Sequence, residues 1–207
     1  MDKDAIAKAI KVILTAIGED PDREGLRDTP RRVAAMLEEV LHGYAPGAGL
    51  AAGLEPLAPD PGGPTGAGKV PVRAASESGI VVLRNIPLYS FCEHHLLPFM
   101  GHAHLAYLPE GGRLAGFSDL TRLVDRLARR LQLQERLTEE IADALMAGLR
   151  PRGALVVVEA EQLCVTMRDT EAHGTRAVTS AARGGFARNP SLRQEALALV
   201  TGASARG

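Results

Sequence analysis

The chain has no tryptophan, only three tyrosines and four phenylalanines, and just two cysteines in 207 residues. Two cysteines cannot build the disulfide framework of a small secreted domain. Neither sign of charge is in excess. The formal net charge is −1, which excludes a nucleic-acid protein driven by bulk charge. No apolar run approaches the length of a membrane span. The opening Met-Asp-Lys-Asp lacks a signal-peptide pattern, and its acidity disfavours a transit peptide. The expected compartment is therefore the cytoplasm, with no nucleic-acid and no membrane partner. In that reducing setting, paired cysteines mean metal or catalysis more often than a staple.

What is present centres on Tyr89-Ser-Phe-Cys-Glu-His-His-Leu-Leu-Pro98. A thiol, a carboxylate and two imidazoles occupy consecutive positions, Cys92, Glu93, His94 and His95. Cys92 and His95 stand in C-x-x-H spacing, which lets both reach one metal ion from a tight turn. The other cysteine is Cys164, in Gln162-Leu-Cys-Val-Thr-Met-Arg168. Two thiolates and one imidazole make the ligand count of a catalytic zinc site, whose fourth position stays open for water. His94 would stand beside that water as a proton carrier. The alternatives are a Cys92–Cys164 disulfide, two inert buried thiols, and histidines with ordinary core or surface roles.

The apolar spacing predicts a helix over Asp4–Ile17, with Gly18 as its stop, and a second from Pro30 to about His42 capped by Thr29. Residues 45–78 are rich in Gly, Pro and Ala and read as a linker. It separates an N-terminal helical region, 1–44, from a catalytic domain, 79–207. In that domain Ile80–Leu83 and Met100–Leu108 read as strands. Ser118 is expected to cap a helix reaching Leu131, and a second helix spans Gln134–Leu149. Ala154–Ala160, Cys164–Met167 and Thr175–Ser180 read as strand segments, and Asn189-Pro190-Ser191 opens a last helix. The order predicts an α+β fold, an antiparallel sheet covered on one face by helices. Its open edges predict oligomerisation.

These stretches resemble the GTP cyclohydrolase I family. The resemblance rests on Glu19-Asp-Pro-Asp-Arg-Glu-Gly-Leu26, Thr29-Pro-Arg-Arg-Val33, Ser90-Phe-Cys-Glu-His-His-Leu-Leu-Pro-Phe99 and His104-Leu-Ala-Tyr-Leu-Pro109. It continues in Gln134-Glu-Arg-Leu-Thr138, Cys164-Val-Thr-Met-Arg168 and Thr179-Ser180. The resemblance implies a tunnelling fold of ββααββ type, assembled as a ring-shaped homodecamer with active sites at subunit boundaries. It implies Zn2+ held by Cys92, His95 and Cys164, proton transfer by His94, and a guanine grip by Glu135 with Gln134 nearby. Ser118, Arg122 and Arg168 match positions that hold the triphosphate of GTP. The implied reaction opens the imidazole ring at C8, releases formate and gives 7,8-dihydroneopterin triphosphate. Without the resemblance, Glu135 reads as a first-turn acid favoured by the helix dipole, and Arg122 as a solvated arginine.

Two positions depart from the family pattern. Gln162 stands where the family has a second proton-transferring histidine, and an amide cannot shuttle protons near neutral pH. Asp119 follows Ser118 where the family has a phosphate-binding lysine. Each unit of that charge swing is worth on the order of 3 kcal/mol at about 5 Å and an effective dielectric near 20, before screening. The expectation is that ring opening survives better than complete conversion. The competing readings are a diverged member that stops at the ring-opened formamide or takes another purine nucleotide, and a non-catalytic zinc-binding ring protein.

Overall fold

The computed structural model describes residues 1–46, 79–111, 113–168 and 172–202; the expected linker therefore lies outside the described residues from position 47 onward. In chain order the elements are α1 (Lys3–Ala16), α2 (Thr29–Val40), a 3-10 turn (His42–Tyr44), β1 (Val81–Cys92), β2 (Pro98–Leu108) and α3 (Phe117–Ala128). They continue with β3 (Leu131–Gln132), α4 (Gln134–Leu149), β4 (Gly153–Gln162), α5 (Leu163–Thr166), β5 (Ala177–Gly184), α6 (Gly185–Arg188) and α7 (Pro190–Thr201). The five strands form one sheet in the order β3-β1-β2-β4-β5. All neighbours run antiparallel except β3, which lies parallel to the end of β1. The architecture is α+β, as the pattern of elements predicts.

Side-chain alternation divides the sheet's residues between two cores. On β2 and β4, Ala103, Leu105, Tyr107, Ala154, Val156, Val158 and Ala160 face α3 and α4. There they meet Leu120, Leu123, Val124 and Leu127 of α3, and Leu137, Ile141, Leu145 and Leu149 of α4. Each fully buried leucine of this kind stabilises by about 1.5–3 kcal/mol. The intervening residues Ala106, Leu108, Leu155 and Val157 pack on the opposite face against Phe186, Ala196 and Val200 of α6 and α7. The expectation of helices on one face only is thus corrected. The run Ala154-Leu-Val-Val-Val158 is apolar without interruption because it is buried from both sides at this end of the sheet. At the other end, Gly101 permits the close approach of β2 to β4: a Cβ there would lie 1.9 Å from the Glu159 carbonyl oxygen.

Several local expectations are revised. Residues 163–166 form a helical turn rather than a strand. The Met167 N–H donates to Leu163 O at 3.0 Å, and Thr166 Oγ1 donates back to Gln162 O at 3.4 Å. The α3 N-cap is Gly116, with Ser118 inside the first turn. α3 ends at Ala128, because Leu131–Gln132 is drawn off to pair with Phe91–Cys92. α2 starts one residue early, with Asp28 at the N-cap and no side-chain cap bond. The 3-10 turn fastens the N-terminal helices to the main body. The Gly43 N–H donates to Arg129 O at 3.0 Å, and the Leu131 N–H donates to the Tyr44 hydroxyl at 3.1 Å.

Candidate metal centre

β1 ends on Cys92, whose side chain points into the core with only 7% of its surface exposed. A five-residue loop then returns the chain to β2, closed by Cys92 N–H to Leu97 O at 2.8 Å and Leu96 N–H to Cys92 O at 2.9 Å. The loop turns through Leu96 in the left-handed region, φ +57°. This brings His95 back over Cys92, with Nδ1 3.7 Å from Cys92 Sγ. Cys164 arrives from the other side of the sheet's end, on the helical turn directly after β4. The ligand atoms of Cys92, His95 and Cys164 all lie within 4.8 Å of one another. Both cysteines are free thiols, so the disulfide alternative is set aside.

The donor set suits a thiophilic dication. Burial, and then the neighbouring Cys92 sulfur, push the Cys164 thiol up from its ordinary value, while the Arg168 charge pulls it down. Two sulfurs crowded together suit a dication, because it binds both as thiolates. Two sulfurs and an imidazole nitrogen leave one tetrahedral position open. His94, adjacent and exposed, has its ring edge-on to His95 with centroids 6.1 Å apart.

Gln162, the last residue of β4, is in a hydrogen-bonded network with α4. Gln134 Nε2 donates to Val158 O at 3.1 Å, Ala177 O at 2.9 Å and Thr179 Oγ1 at 3.3 Å. Those acceptors fix the Gln134 amide, so its Oε1 faces Gln162 and accepts from Gln162 Nε2 at 2.7 Å. Thr138 Oγ1 donates to Gln134 O at 2.7 Å and lies 2.6 Å from Thr179 Oγ1. With its amino group fully engaged, Gln134 has one carbonyl lone pair left to offer a ligand. The Gln162 side-chain Oε1 is the other acceptor of the pair, with no donor to it among the described residues.

The remaining sequence-predicted residues are more dispersed. Glu135 is exposed in the first turn of α4 and has no ion pair among the described residues. Arg168 is exposed four residues past Cys164. Ser118 and Arg122 lie on α3, and no hydrogen bond or ion pair among the described residues links them to the Cys–His cluster. Arg122 is instead paired with Asp119 of its own first turn. Sequence reasoning missed Glu93 and Arg136, whose side chains form an ion pair at the cluster's edge and hold the Glu93 carboxyl below its usual range. Arg136 and Glu140 stand at i, i+4 on α4, a spacing that marks Arg136 as a pairing residue but carries no sign of Glu93.

An antiparallel α+β scaffold that gathers two cysteines and a histidine at one sheet end, beside a free histidine, defines a protein with a catalytic-type metal-ligand set. Comparison of sequences makes this specific: residues 6–201 match the GTP cyclohydrolase I family, and the chain belongs to that family. It is similar to GTP cyclohydrolase 1 of Carboxydothermus hydrogenoformans, 50% identical over 202 residues, covering 97% of this chain and 95% of the relative. The GTP cyclohydrolase 1 of Clostridioides difficile is 48% identical over 97% of both chains. That of Listeria monocytogenes is 46% identical over 97% of both.

Proposed function

We propose that the protein is a zinc-dependent hydrolase that opens the imidazole ring of GTP at C8. In the complete reaction it yields formate and 7,8-dihydroneopterin triphosphate. The observation that carries this reading is the convergence of Cys92, His95 and Cys164 within 4.8 Å in a family member matched over nearly its whole length. Zinc, when held there, supplies Lewis acidity and a water acidified to near neutrality. His94, exposed beside the cluster, takes and returns protons as the ring opens. Glu135, at the start of α4, accepts two N–H bonds from the guanidine-like edge of guanine. No ion-pair partner holds it among the described residues, which leaves the carboxylate available for that grip. Gln134 and Gln162 offer one acceptor each toward the base or water. Ser118, Arg122 and Arg168 hold the triphosphate, α3 lending its N-terminal dipole.

Gln162 favours an uneven reaction. Its amide is locked as a donor to Gln134 and neither gives up nor takes a proton near neutral pH, so steps after ring opening depend on His94 alone. Asp119 neutralises Arg122 and opposes a triphosphate. The formamide intermediate is therefore expected to build up relative to the pterin. A substrate with fewer phosphates is the alternative consistent with the same pair.

The fold is assigned to the tunnelling class, divided into an N-terminal helical region at 1–44 and a catalytic domain at 79–207. The working form is a homo-oligomer, a decamer by analogy with the family. The two-residue β3 at one edge and β5 at the other leave backbone groups for neighbouring subunits to pair with. The cytoplasm is the assigned compartment; both cysteines are free thiols, and no described helix is long and apolar enough to cross a membrane. The deciding experiment is incubation of zinc-loaded protein with GTP, followed by mass analysis. Formamide or dihydroneopterin triphosphate supports the reading. Zinc-replete protein that leaves GTP, GDP and GMP unchanged would establish a non-catalytic zinc protein instead.

A further inference from the structure

We propose that Glu93 and Arg136 form a positioning brace that sets the metal-bearing loop at a fixed distance from the first turn of α4. The inference rests on the zinc assignment above. Glu93 lies between Cys92 and His95 in the loop, and Arg136 follows Gln134 and Glu135 on α4. The Arg136 guanidinium spans three elements. Nη2 and Nη1 donate to the two carboxylate oxygens of Glu93, Nε donates to Gln132 Oε1 at 3.0 Å, and Nη2 also reaches Leu131 O at 3.4 Å. Gln132 is the parallel strand partner of Cys92, and its carbonyl accepts the Glu93 N–H at 3.2 Å. Loop, strand β3 and helix α4 are thus joined through a single side chain.

The network continues inward. Gln132 is 2% exposed; its amino group donates to Glu140 Oε2 at 2.9 Å and Leu127 O at 3.2 Å. Glu140 also accepts from Arg130 Nη2 at 2.6 Å. An isolated surface ion pair contributes little, but a two-pronged arginine–carboxylate contact tied to a buried amide holds direction as well as charge. The geometry matters because Glu135 has no described partner of its own. Its position relative to Cys92 and His95 follows from where α4 starts, and the brace sets that. Arg136 touches neither a metal ligand atom nor the base site, so it acts through its neighbours.

The test measures zinc release to a chromogenic chelator, kcat, KM for GTP and thermal stability, on the full-length assembled protein. The variants are Glu93→Gln, Arg136→Gln, both together, Arg136→Lys, and the exchanged pair Glu93→Arg with Arg136→Glu. Loss of an outer-shell partner costs about 10–100-fold in metal affinity or activity. Zinc release is expected to quicken by about 10-fold in either single neutral variant. KM should rise while the melting temperature falls by no more than about 3 °C. The double neutral variant should be no worse than the worse single one, because the two act through one contact. Arg136→Lys, which keeps charge but loses the fork, should fall between, and the exchanged pair should recover part of the loss. Wild-type rates of zinc release and unchanged KM in both folded single variants would overturn the brace. So would melting-temperature losses above about 10 °C with normal zinc retention, which would make the pair structural. A wild type that holds no zinc fails a different claim, the metal assignment itself.

Discussion

The two halves of the candidate metal centre are built differently. Cys92 and His95 share one short loop, closed by two backbone hydrogen bonds, docked on β3 and tied by Arg136 to α4. Cys164 sits on a single helical turn, partly exposed, whose support is its continuity with β4. One half is rigid through cross-connection and the other through the strand it extends. The difference teaches that the first half is preorganised by neighbours that sequence separation hides, whereas the second inherits its position from a strand legible in the sequence.

Substituting the cysteines probes this contrast most strongly. Cys92→Ala and Cys164→Ala should each abolish stoichiometric zinc, read by elemental analysis. Both should lower turnover by more than the about 10–100-fold expected for an outer-shell residue. Cys92→Ala should also cost stability because its sulfur is buried, and Cys164→Ala should cost less. Retention of zinc in both would dismantle the centre.

Next in size is the amide pair at the end of β4. Gln162→Glu places a carboxylate against Gln134 Oε1, acceptor facing acceptor, and should lower kcat/KM by about 10–100-fold, the cost of an unpaired buried polar group. Gln162→His keeps a donor for Gln134 and adds a proton carrier; the pterin-to-formamide ratio should rise by about 10-fold or more. An unchanged ratio would make Gln162 a tolerated substitution in an ordinary reaction.

A smaller effect is expected at Asp119. Asp119→Lys frees Arg122 and restores positive charge, so the apparent affinity for GTP should rise several-fold, more at low salt than high. No salt dependence would remove α3 from the phosphate site. The smallest effect concerns the closure of the Cys92–His95 loop. Leu96→Gly relieves about 1–2 kcal/mol of left-handed strain, but the added freedom of the unfolded chain offsets roughly 0.5–1 kcal/mol. Denaturant unfolding should show a net gain of about 0–1.5 kcal/mol.

Much of the scaffold was legible because its elements carry clean periodicities. The stripe Leu120, Leu123, Val124, Leu127 predicts α3's buried face, and Leu137, Ile141, Leu145, Leu149 that of α4. The α+β order followed from the succession of patterns. Cys164–Met167 misled because Val165 and Thr166 are β-prone, whereas the chain turns once the pairing of β4 with β2 ends at Gln162. β3 has two residues, too few to carry any period. The second core was hidden because a run buried on both faces shows no alternation. At the site, C-x-x-H pairs Cys92 with His95 by spacing alone, but the partners of Glu93 and Gln162 are 43 and 28 residues away. Only the tertiary fold reveals such contacts.

The double burial of β4 has a kinetic consequence. Its backbone is flanked by β2 and β5, and most of its side chains are covered from above and below. Such amides exchange with solvent only when the whole unit opens, so β4 should mark the slowest hydrogen-exchange class of the protein. Cys164 lies two residues beyond its end, on the helical turn that follows directly. A local opening of the loop would free His95 while Cys164, carried on the helical turn that continues β4, stays in place, so metal exchange and global unfolding should run on separate clocks.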